Sequence, residues 1–281
     1  MVTQVILMII AGLLAGTLGS ILGIGGGMII TPFLTMVLGI DIKYAIGASI
    51  IAVIATSSGA SVAYLKDDML NLRVAMFLEL ATTVGAIIGA LMTGVLPTGI
   101  LYVLFGALLL FSSYNMIKKL LGRQKDQVQL NNDALSVKLN LGGSYYDQVE
   151  QKQVDYGVKN VPGGFAMMGA AGFASGLLGI GSGAFKVIAM DSIMKMPLKP
   201  SSATSNLMMG VTAAASATVY FFNGSINPAI AVPIAVGVLV GATIGARIMV
   251  HLKPKMIRMI FIPILVFMGA QMALKGLGVH F

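Results

Sequence analysis

The sequence predicts an all-α polytopic integral membrane protein made of two inverted-topology repeats, each with a glycine-broken helix or hairpin followed by three transmembrane helices. Three observations predict this fold: the apolar composition, an internal repeat and the positions of the basic residues. The chain has 281 residues, of which 57% are hydrophobic and 10% charged, and its mean hydropathy is +0.92. Soluble domains carry about 25% charged residues. A soluble protein and a soluble enzyme with one membrane anchor are therefore both excluded.

The apolar stretches predict the individual helices. A transmembrane helix needs about 20 apolar residues, and nearly all of the chain outside one central segment is apolar, so there is room for eight to ten segments. They cover residues 1–22, 28–40, 44–65, 72–96, 98–117, 165–178, 184–196, 201–222, 228–250 and 256–274. We expect the first to be a retained helix, because it lacks the basic start of a signal peptide and runs into glycines.

A polar segment divides the chain. Between residues 118 and 160 there are seven Lys or Arg and five acidic residues, and Pro162 and two glycines follow, a composition typical of an extramembrane linker. We expect a first membrane repeat over residues 1–120, a cytoplasmic linker over 121–160 and a second membrane repeat over 161–281. Solvation is the usual role of such a linker; regulation or partner binding is the alternative.

The two membrane parts repeat each other at a constant offset of 156 residues. Without a gap, 25 of the 106 positions from Ala15 to Leu120 are identical to their partners, where chance in so narrow a composition gives roughly a tenth. Ser49 falls on Ser205, Thr56 on Thr212, and Tyr64 on Tyr220. The chain is therefore a duplicated unit.

The basic residues predict the orientation of the repeats. Lys and Arg accumulate in short cytoplasmic loops. With the linker inside and the second repeat inverted, fifteen of the eighteen Lys and Arg lie in the cytoplasm, Lys43 and Lys275 lie outside, and Lys186 lies within the membrane. Parallel repeats would split them ten to seven. We therefore expect a multi-pass protein of the cell membrane with both termini outside. Inverted repeats are typical of secondary transporters.

A glycine cluster follows the first helix of each repeat, and a short apolar segment of twelve or thirteen residues follows the cluster. At about 1.5 Å per residue this segment reaches only about 20 Å, so a half-helix is predicted, either as a tilted crossing or as a re-entrant hairpin. The free N–H groups at its start favour anions, and helix packing through small residues is the alternative. The predicted site includes Gly25, Gly26 and Gly27 and their partners Gly181, Ser182 and Gly183.

Lys186 is the notable charge of this region, three residues after Gly183, where the first repeat has Ile30. A charged side chain at the membrane centre costs about 2.5–3.5 kcal/mol, and Asp191 lies about 140° away around the same helix. We expect the ammonium to hold an anionic substrate. The alternatives are that it extends to the cytoplasmic surface or pairs with another helix.

Hydroxyl, amide and carboxyl groups complete the predicted site. Ser49, Thr204, Ser205 and Asn206 can hydrogen-bond an oxyanion without adding charge; the alternative is that they cap a helix or join neighbouring helices. Glu79 is a candidate for carrying a coupling proton, because burial favours the neutral carboxyl group; the favoured alternative is a position near the cytoplasmic interface. Arg247 and His251 are expected to be interface anchors, or a pair that attracts anions to the inner mouth.

The duplicated plan and the glycine break followed by Pro32 resemble the TauE/SafE sulfite exporter family, also called the 4-toluene sulfonate uptake permease family. The resemblance covers nearly the whole chain except the linker, and its most family-like element is Gly23 to Gly27 with Pro32. It implies that these residues belong to the substrate pathway. It also implies transport of sulfite, sulfate, sulfonates or related organic anions, often outward, coupled to protons. The second copy departs from the pattern, with Ser182 for glycine and Ile188 at the position of Pro32.

The expected function is therefore a secondary transporter, exporter or permease, for a small sulfur-containing or organic anion, working by alternating access. We expect no enzyme activity, no cofactor and no metal, because the sequence has no Walker A pattern, no His and acidic cluster and no cysteine. We expect no nucleic-acid partner, because the basic residues lie between apolar segments, where they set membrane orientation. The partners are the anion and the lipid bilayer, with homo-oligomerisation left open. The alternatives are a non-transporting membrane sensor or assembly subunit and a carrier of another small ion, including a cation.

Overall fold

The computed structural model describes residues 2–23, 25–66, 69–121, 132–147, 149–249, 251–252 and 254–278. The helices of the first half are α1 (Val2–Leu22), α2 (Gly27–Met36), α3 (Ile42–Lys66), α4 (Leu72–Thr93) and α5 (Thr98–Leu121). The linker holds α6 (Ala134–Lys138), β1 (Gly143–Asp147) and β2 (Lys152–Tyr156). The second half holds α7 (Val161–Leu178), α8 (Gly183–Ile188), a π-helical turn (Ala189–Ile193), α9 (Leu198–Phe222), α10 (Pro228–Met249) and α11 (Pro254–Gly276). Residues 122–131 of the predicted linker lie outside the described residues.

The membrane part of the chain is all-α and polytopic, as predicted. Within the described part, six helical stretches are long and apolar enough to cross a membrane: Thr3–Ile21, Ile42–Val62, Leu72–Thr93, Thr98–Lys118, Val161–Leu178 and Pro228–Met249. α9 is equally long, but it carries a run of lysine, serine, threonine and asparagine side chains and is buried from Leu198 to Asn206. Polar groups at membrane depth are tolerated where protein surrounds them, so α9 is a central helix.

Small residues bring the helices of the two halves into close contact. α1 packs on α10, where a Cβ on Gly12 would lie 2.6 Å from the carbonyl oxygen of Ile234. α7 packs on α4, where Gly176 approaches the backbone of Ala86. Close approach through small residues is a common way for membrane helices to associate. The first helix of each half therefore packs against a helix of the other half, running parallel to it.

The remaining interhelical contacts also join the halves. α5 packs on α11, with Gly106 against Gly269 and Gly99 against Gly276, so these two helices run antiparallel. α3 and α9 contact each other, and they also contact α10 and α4, respectively. The Ser57 hydroxyl of α3 donates to the carbonyl of Leu207 on α9 at 3.3 Å. The core lies around α3 and α9.

The linker forms more regular structure than its composition indicates. β1 and β2 form an antiparallel hairpin in which Gly143 pairs with Tyr156. Leu141, Tyr145 and Val158 are buried and belong to the same hydrophobic core as the central helices. The linker therefore packs onto one end of the helical bundle. We call this the linker end and the other, where Lys43 donates to the carbonyl of Gly94, the opposite end.

The second half-helix is shorter than predicted. We expected it over residues 184–196, but only Gly183–Ile188 is α-helical and a π-helical turn follows at Ala189–Ile193. A π turn takes i→i+5 hydrogen bonds, as the N–H of Met194 bonding to the carbonyl of Ala189 shows. The first half-helix is helical over ten residues, Gly27–Met36, with Pro32 inside it.

Candidate functional site

The two glycine breaks meet at the centre of the bundle in matched conformations. Gly23 and Gly25 have φ of +67° and +77°, and their repeat partners Gly179 and Gly181 have φ of +65° and +71°. A side chain at Gly23 would also collide with the backbone of Ser202 on α9. Glycine is therefore required here for both backbone conformation and close approach.

Each break is held by a serine of the other half. The Ser49 hydroxyl on α3 donates to the carbonyl of Gly179 at 2.8 Å, and the Ser205 hydroxyl on α9 donates to the carbonyl of Gly23 at 2.7 Å. Ser205 also lies 3.3 Å from the carbonyl oxygen of Gly183. We call the bonds from Ser49 to Gly179 and from Ser205 to Gly23 the serine cross-ties. They satisfy backbone carbonyls that a broken helix leaves without helical partners.

Two tyrosines repeat the same pattern about one turn before each break. The Tyr64 hydroxyl on α3 donates to the carbonyl of Ser20 at 2.8 Å, and the Tyr220 hydroxyl on α9 donates to the carbonyl of Gly176. Both side chains are fully buried. The sequence indicated these tyrosines only as part of the repeat, and their identity at matched positions is the signal that could have found their role.

The remaining glycines of the predicted site lie against α3 and α9. A Cβ on Gly25 would lie 3.0 Å from the sulfur of Met209 on α9. A Cβ on Gly181 would lie 2.6 Å from Val53 on α3, the repeat partner of Met209. A Cβ on Gly27 would also be close to α3, 2.6 Å from the Ser49 hydroxyl. The structure therefore brings both glycine clusters together at the seam of the two halves.

The other predicted hydroxyl and amide groups also hold the backbone. The Thr204 hydroxyl accepts from the N–H of Asn71 at 3.1 Å, and the Asn206 side-chain amide donates to the carbonyl of Ser20 at 2.9 Å. Directly before the first half-helix, the N–H of Gly26 donates to the Thr56 hydroxyl on α3 at 3.3 Å. These contacts are of the kind that joins neighbouring helices, one of the two roles that the sequence left open.

Lys186 is fully buried and joins a polar network between three helices. Its ammonium donates to the Thr212 hydroxyl on α9 at 2.5 Å and lies 3.9 Å from Oε2 of Glu79 on α4. The Thr212 hydroxyl donates to Oε1 of Glu79 at 2.6 Å, and Thr83 donates to the same oxygen at 3.1 Å. We call Lys186, Thr212 and Glu79 the charged triad.

Two residues of the predicted site, Lys186 and Glu79, belong to the charged triad. Lys186 pairs with another helix rather than extending to the surface, and the Glu79 side chain is only 12% exposed. From the sequence, Thr212 was identified only as the repeat partner of Thr56. Its position between Glu79 and Lys186 depends on how α4, α8 and α9 pack together, and a linear sequence pattern does not indicate that packing. The binding of an anion by Lys186 stays a prediction.

Several buried polar atoms at this seam have no hydrogen-bond partner among the described residues. They include Oε2 of Glu79, the Ser182 hydroxyl and the side-chain oxygen of Asn206. Because buried polar atoms are usually paired, each of these atoms has an unused hydrogen-bonding capacity. Ser182 also has φ of +49°, a left-handed conformation that glycine, the residue at the matched position of the first half, adopts more readily.

Arg247 and His251 lie outside this seam. Both are exposed, and the His251 Nδ1 hydrogen-bonds the Arg247 carbonyl at 3.1 Å. Over the described ranges, no group of three or more His, Asp or Glu side chains is placed to hold a metal ion.

Comparisons with known proteins identify the relatives of the chain. The family model described as "Sulfite exporter TauE/SafE" matches residues 8–272. The chain is 26% identical over 279 residues to a probable membrane transporter protein, YunE, of Bacillus subtilis, covering 97% of this chain and 98% of that protein. It is 27% identical over 284 residues to the probable membrane transporter protein MJ0441 of Methanocaldococcus jannaschii, with 95% of each chain covered. No solved structure matches it.

Proposed function

This chain belongs to the sulfite exporter TauE/SafE family, and from that premise we propose that it is a secondary transporter of a small sulfur-containing or organic oxyanion. The observation that carries the proposal is the charged triad: a fully buried lysine next to a glycine break, at the seam between the two halves. The substrate classes that fit are sulfite, sulfate and sulfonates, whose oxygens accept hydrogen bonds from an ammonium group.

Lys186 is the residue that we propose binds the anion. Because a charge in the membrane interior is costly, it is retained where it has a partner or a function. Ser182, directly before α8, is proposed to donate a second hydrogen bond, since its buried hydroxyl has no partner among the described residues. The glycines at 25–27, 181 and 183 let the anion approach the backbone closely.

A second group of residues supports the site by fixing the broken helices rather than by meeting the anion. Their side chains bond backbone groups of α1, α4 and the two breaks, so they set the distance between the halves. These residues are Ser49, Thr204, Ser205 and Asn206.

Glu79 is the residue that we propose couples transport to protons. While Glu79 is ionised, its carboxylate neutralises Lys186 across 3.9 Å. A proton added to Oε2, which has no hydrogen-bond partner among the described residues, removes that negative charge. Lys186 then has an uncompensated positive charge, and binding a singly charged anion, such as a sulfonate, restores neutrality. One proton is therefore expected to accompany each bound anion.

The transport cycle that we propose is alternating access between two inverted repeats. The antiparallel packing of α5 on α11, which are matched by the repeat, supports inversion, because parallel repeats would place these helices parallel. The serine cross-ties support coupled movement, since each break is fixed to a helix of the other half. We propose a position in the cell membrane, with the linker in the cytoplasm and both termini outside.

Radiolabelled sulfite flux into proteoliposomes, with and without an imposed pH gradient, tests the proposal. We expect saturable, gradient-dependent flux that falls roughly 10- to 100-fold in Lys186→Met, because a hydrogen bond to a charged group contributes about 1.5–3 kcal/mol. Glu79→Gln is expected to retain flux but lose its response to the gradient.

Two controls separate a functional loss from misfolding. Lys43→Met changes a lysine at the opposite end, where its ammonium donates to a backbone carbonyl, and should leave flux unchanged. The double variant Lys186→Met with Glu79→Gln removes both charges of the triad, so it should fold and still fail to transport. Full flux in the double variant would refute the role of the triad. No flux of sulfite, sulfate, sulfonates or small carboxylates by the wild type would favour a non-transporting sensor or assembly subunit.

A further inference from the structure

The described part of the linker covers one of the two ends that the repeat makes equivalent, and it does not reach the other. At the linker end, Met194 and Met196 are buried, whereas their repeat partners Leu38 and Ile40 at the opposite end are partly exposed. In the same way Pro200 is buried, whereas its partner, a tyrosine at position 44, is 45% exposed. The linker contributes to this difference, because its residues Leu141, Tyr145 and Val158 share a hydrophobic cluster with Met194 and Met196.

A buried ion pair attaches the linker to α9. The Lys199 ammonium donates to Oδ1 of Asp147, the last residue of β1, at 2.9 Å, and the Lys199 side chain is only 3% exposed. The N–H groups of Val149 and Glu150 donate to the same carboxylate oxygen at 2.8 and 3.2 Å. At the opposite end the repeat partner of Lys199, Lys43, is partly exposed.

Further contacts seat the linker between α4 and the segment after α8. The Asn71 side-chain amide, at the start of α4, donates to the Leu141 carbonyl at 2.8 Å and to the Tyr156 hydroxyl at 3.2 Å. The N–H of Lys159 donates to the Met194 carbonyl at 3.0 Å. The linker thus bridges α4, α9 and the chain that leaves the second glycine break.

We propose that residues 132–147 and 149–160 form a lid over the linker end of the substrate pathway, latched by the ion pair between Asp147 and Lys199. Lys199 lies in the first turn of α9, the helix that also carries Ser205 of the cross-ties and Thr212 of the triad. A transporter that exposes its site alternately must uncover this end once in each cycle. The expected effect of lid opening on flux rests on the proposed transporter function. The opening of the lid itself does not.

An ion pair is suited to a latch because its formation and opening are nearly balanced. The attraction between two buried charges is offset largely by the water that each loses. Apolar contacts from Leu141, Tyr145 and Val158 position the lid, and the pair determines how often it stays closed. Removing the Asp147 charge is therefore expected to open the lid more often without detaching the linker.

The absence of cysteine from the chain allows opening to be measured without transport. Ser201→Cys places one thiol in the buried first turns of α9, and Ala45→Cys places another at the repeat-matched position of α3. A water-soluble methanethiosulfonate reagent should label Ser201→Cys roughly tenfold faster when Asp147→Asn is added, the change expected for loss of one charge-assisted hydrogen bond. Labelling of Ala45→Cys should not change.

Two labelling results would overturn the lid. One is an unchanged rate at Ser201→Cys, and the other is an equal increase at both thiols, which would indicate general loosening. Because labelling does not depend on an anion being carried, these results remain decisive if no flux is found, an outcome that refutes the proposed function instead.

Cross-linking tests the link between the lid and flux in the full chain. Asp147→Cys with Lys199→Cys, joined by a short bifunctional thiosulfonate, should lose flux and regain it when the cross-link is reduced. In each single cysteine variant, the same treatment should leave the flux at the level of the untreated variant. Undiminished flux in the cross-linked protein would show that this end opens without lid movement and would refute the gate.

Discussion

At the residue scale, Gly23 and Gly179 show how a single position meets two requirements. Both have positive φ, and both lie against the backbone of the other half's central helix, Gly23 on Ser202 and Gly179 on Ile46. A Cβ on Gly179 would lie 2.7 Å from the Ile46 carbonyl oxygen. Replacing either glycine with alanine therefore requires one helix to move relative to another.

We expect Gly23→Ala and Gly179→Ala to lower the thermal unfolding temperature strongly. The left-handed conformation alone costs an alanine about 1–2 kcal/mol, and displacement of a packed backbone adds about 1–3 kcal/mol. Gly39→Ala is the matched control, since Gly39 has φ of +64° and no described atom lies within 4 Å of its built Cβ. Equal losses in all three variants, measured by thermal unfolding in detergent, would contradict the role of close approach.

The internal repeat, more than any local pattern, indicated which residues the structure brings together at the seam of the two halves. Gly25, Gly181, Ser49 and Ser205 were found because matched positions kept the same residue type, and the structure brings them together. The partner of Lys186 was not predicted, because it lies on a distant segment and nothing in its own helix indicates the contact. Charge pairing across helices depends on packing that a linear pattern does not encode.

At the element scale, the linker hairpin contributes an ion pair, between Asp147 and Lys199, that stabilises the folded protein. Burial alone would raise the pKa of Asp147, but hydrogen bonds from Lys199 and from the N–H groups of Val149 and Glu150 hold the pKa below its ordinary value. Because the folded-state pKa is the lower one, this stabilisation is complete above the ordinary value, about 4. It is lost as the pH falls through the lowered pKa of the folded protein.

We therefore expect the unfolding temperature of the wild type to fall more steeply than that of Asp147→Asn between about pH 5 and about pH 3. Asp155→Asn, which changes an exposed residue of β2, is the control and should keep the slope of the wild type. Thermal unfolding across this pH range measures the effect. Parallel curves for the wild type and Asp147→Asn would show that the pair contributes no stability.

Helix lengths illustrate what the sequence could and could not predict about elements. The long apolar segments were predicted because twenty apolar residues have few alternatives in a membrane. The short extent of α8 was not predicted, because residues 189–193 are apolar enough for an α-helix. Their π-helical geometry comes with hydrogen bonds from the N–H groups of Met194 and Met196, which a local sequence pattern does not indicate. The hairpin was missed because its polar sequence is equally typical of an irregular linker.

At the scale of the whole molecule, the orientation of the repeats makes a direct prediction. Val95 and His251 are matched by the repeat and both are exposed. In inverted repeats they lie on opposite sides of the membrane, so in intact cells Val95→Cys should react with a membrane-impermeant maleimide and His251→Cys only after permeabilisation. Reaction of both from the same side would show that the repeats are parallel. The cysteine-free wild type provides the background.

The serine cross-ties also have a consequence for the ancestry of the chain. In the first half alone, the Ser49 hydroxyl and the Gly23 carbonyl would both lose these partners. Thus Ser49 has its acceptor at Gly179, and Gly23 has its donor at Ser205. A single ancestral unit would have completed its seam only by pairing with a second copy of itself, so we infer that gene fusion preserved an assembly that already existed as a dimer.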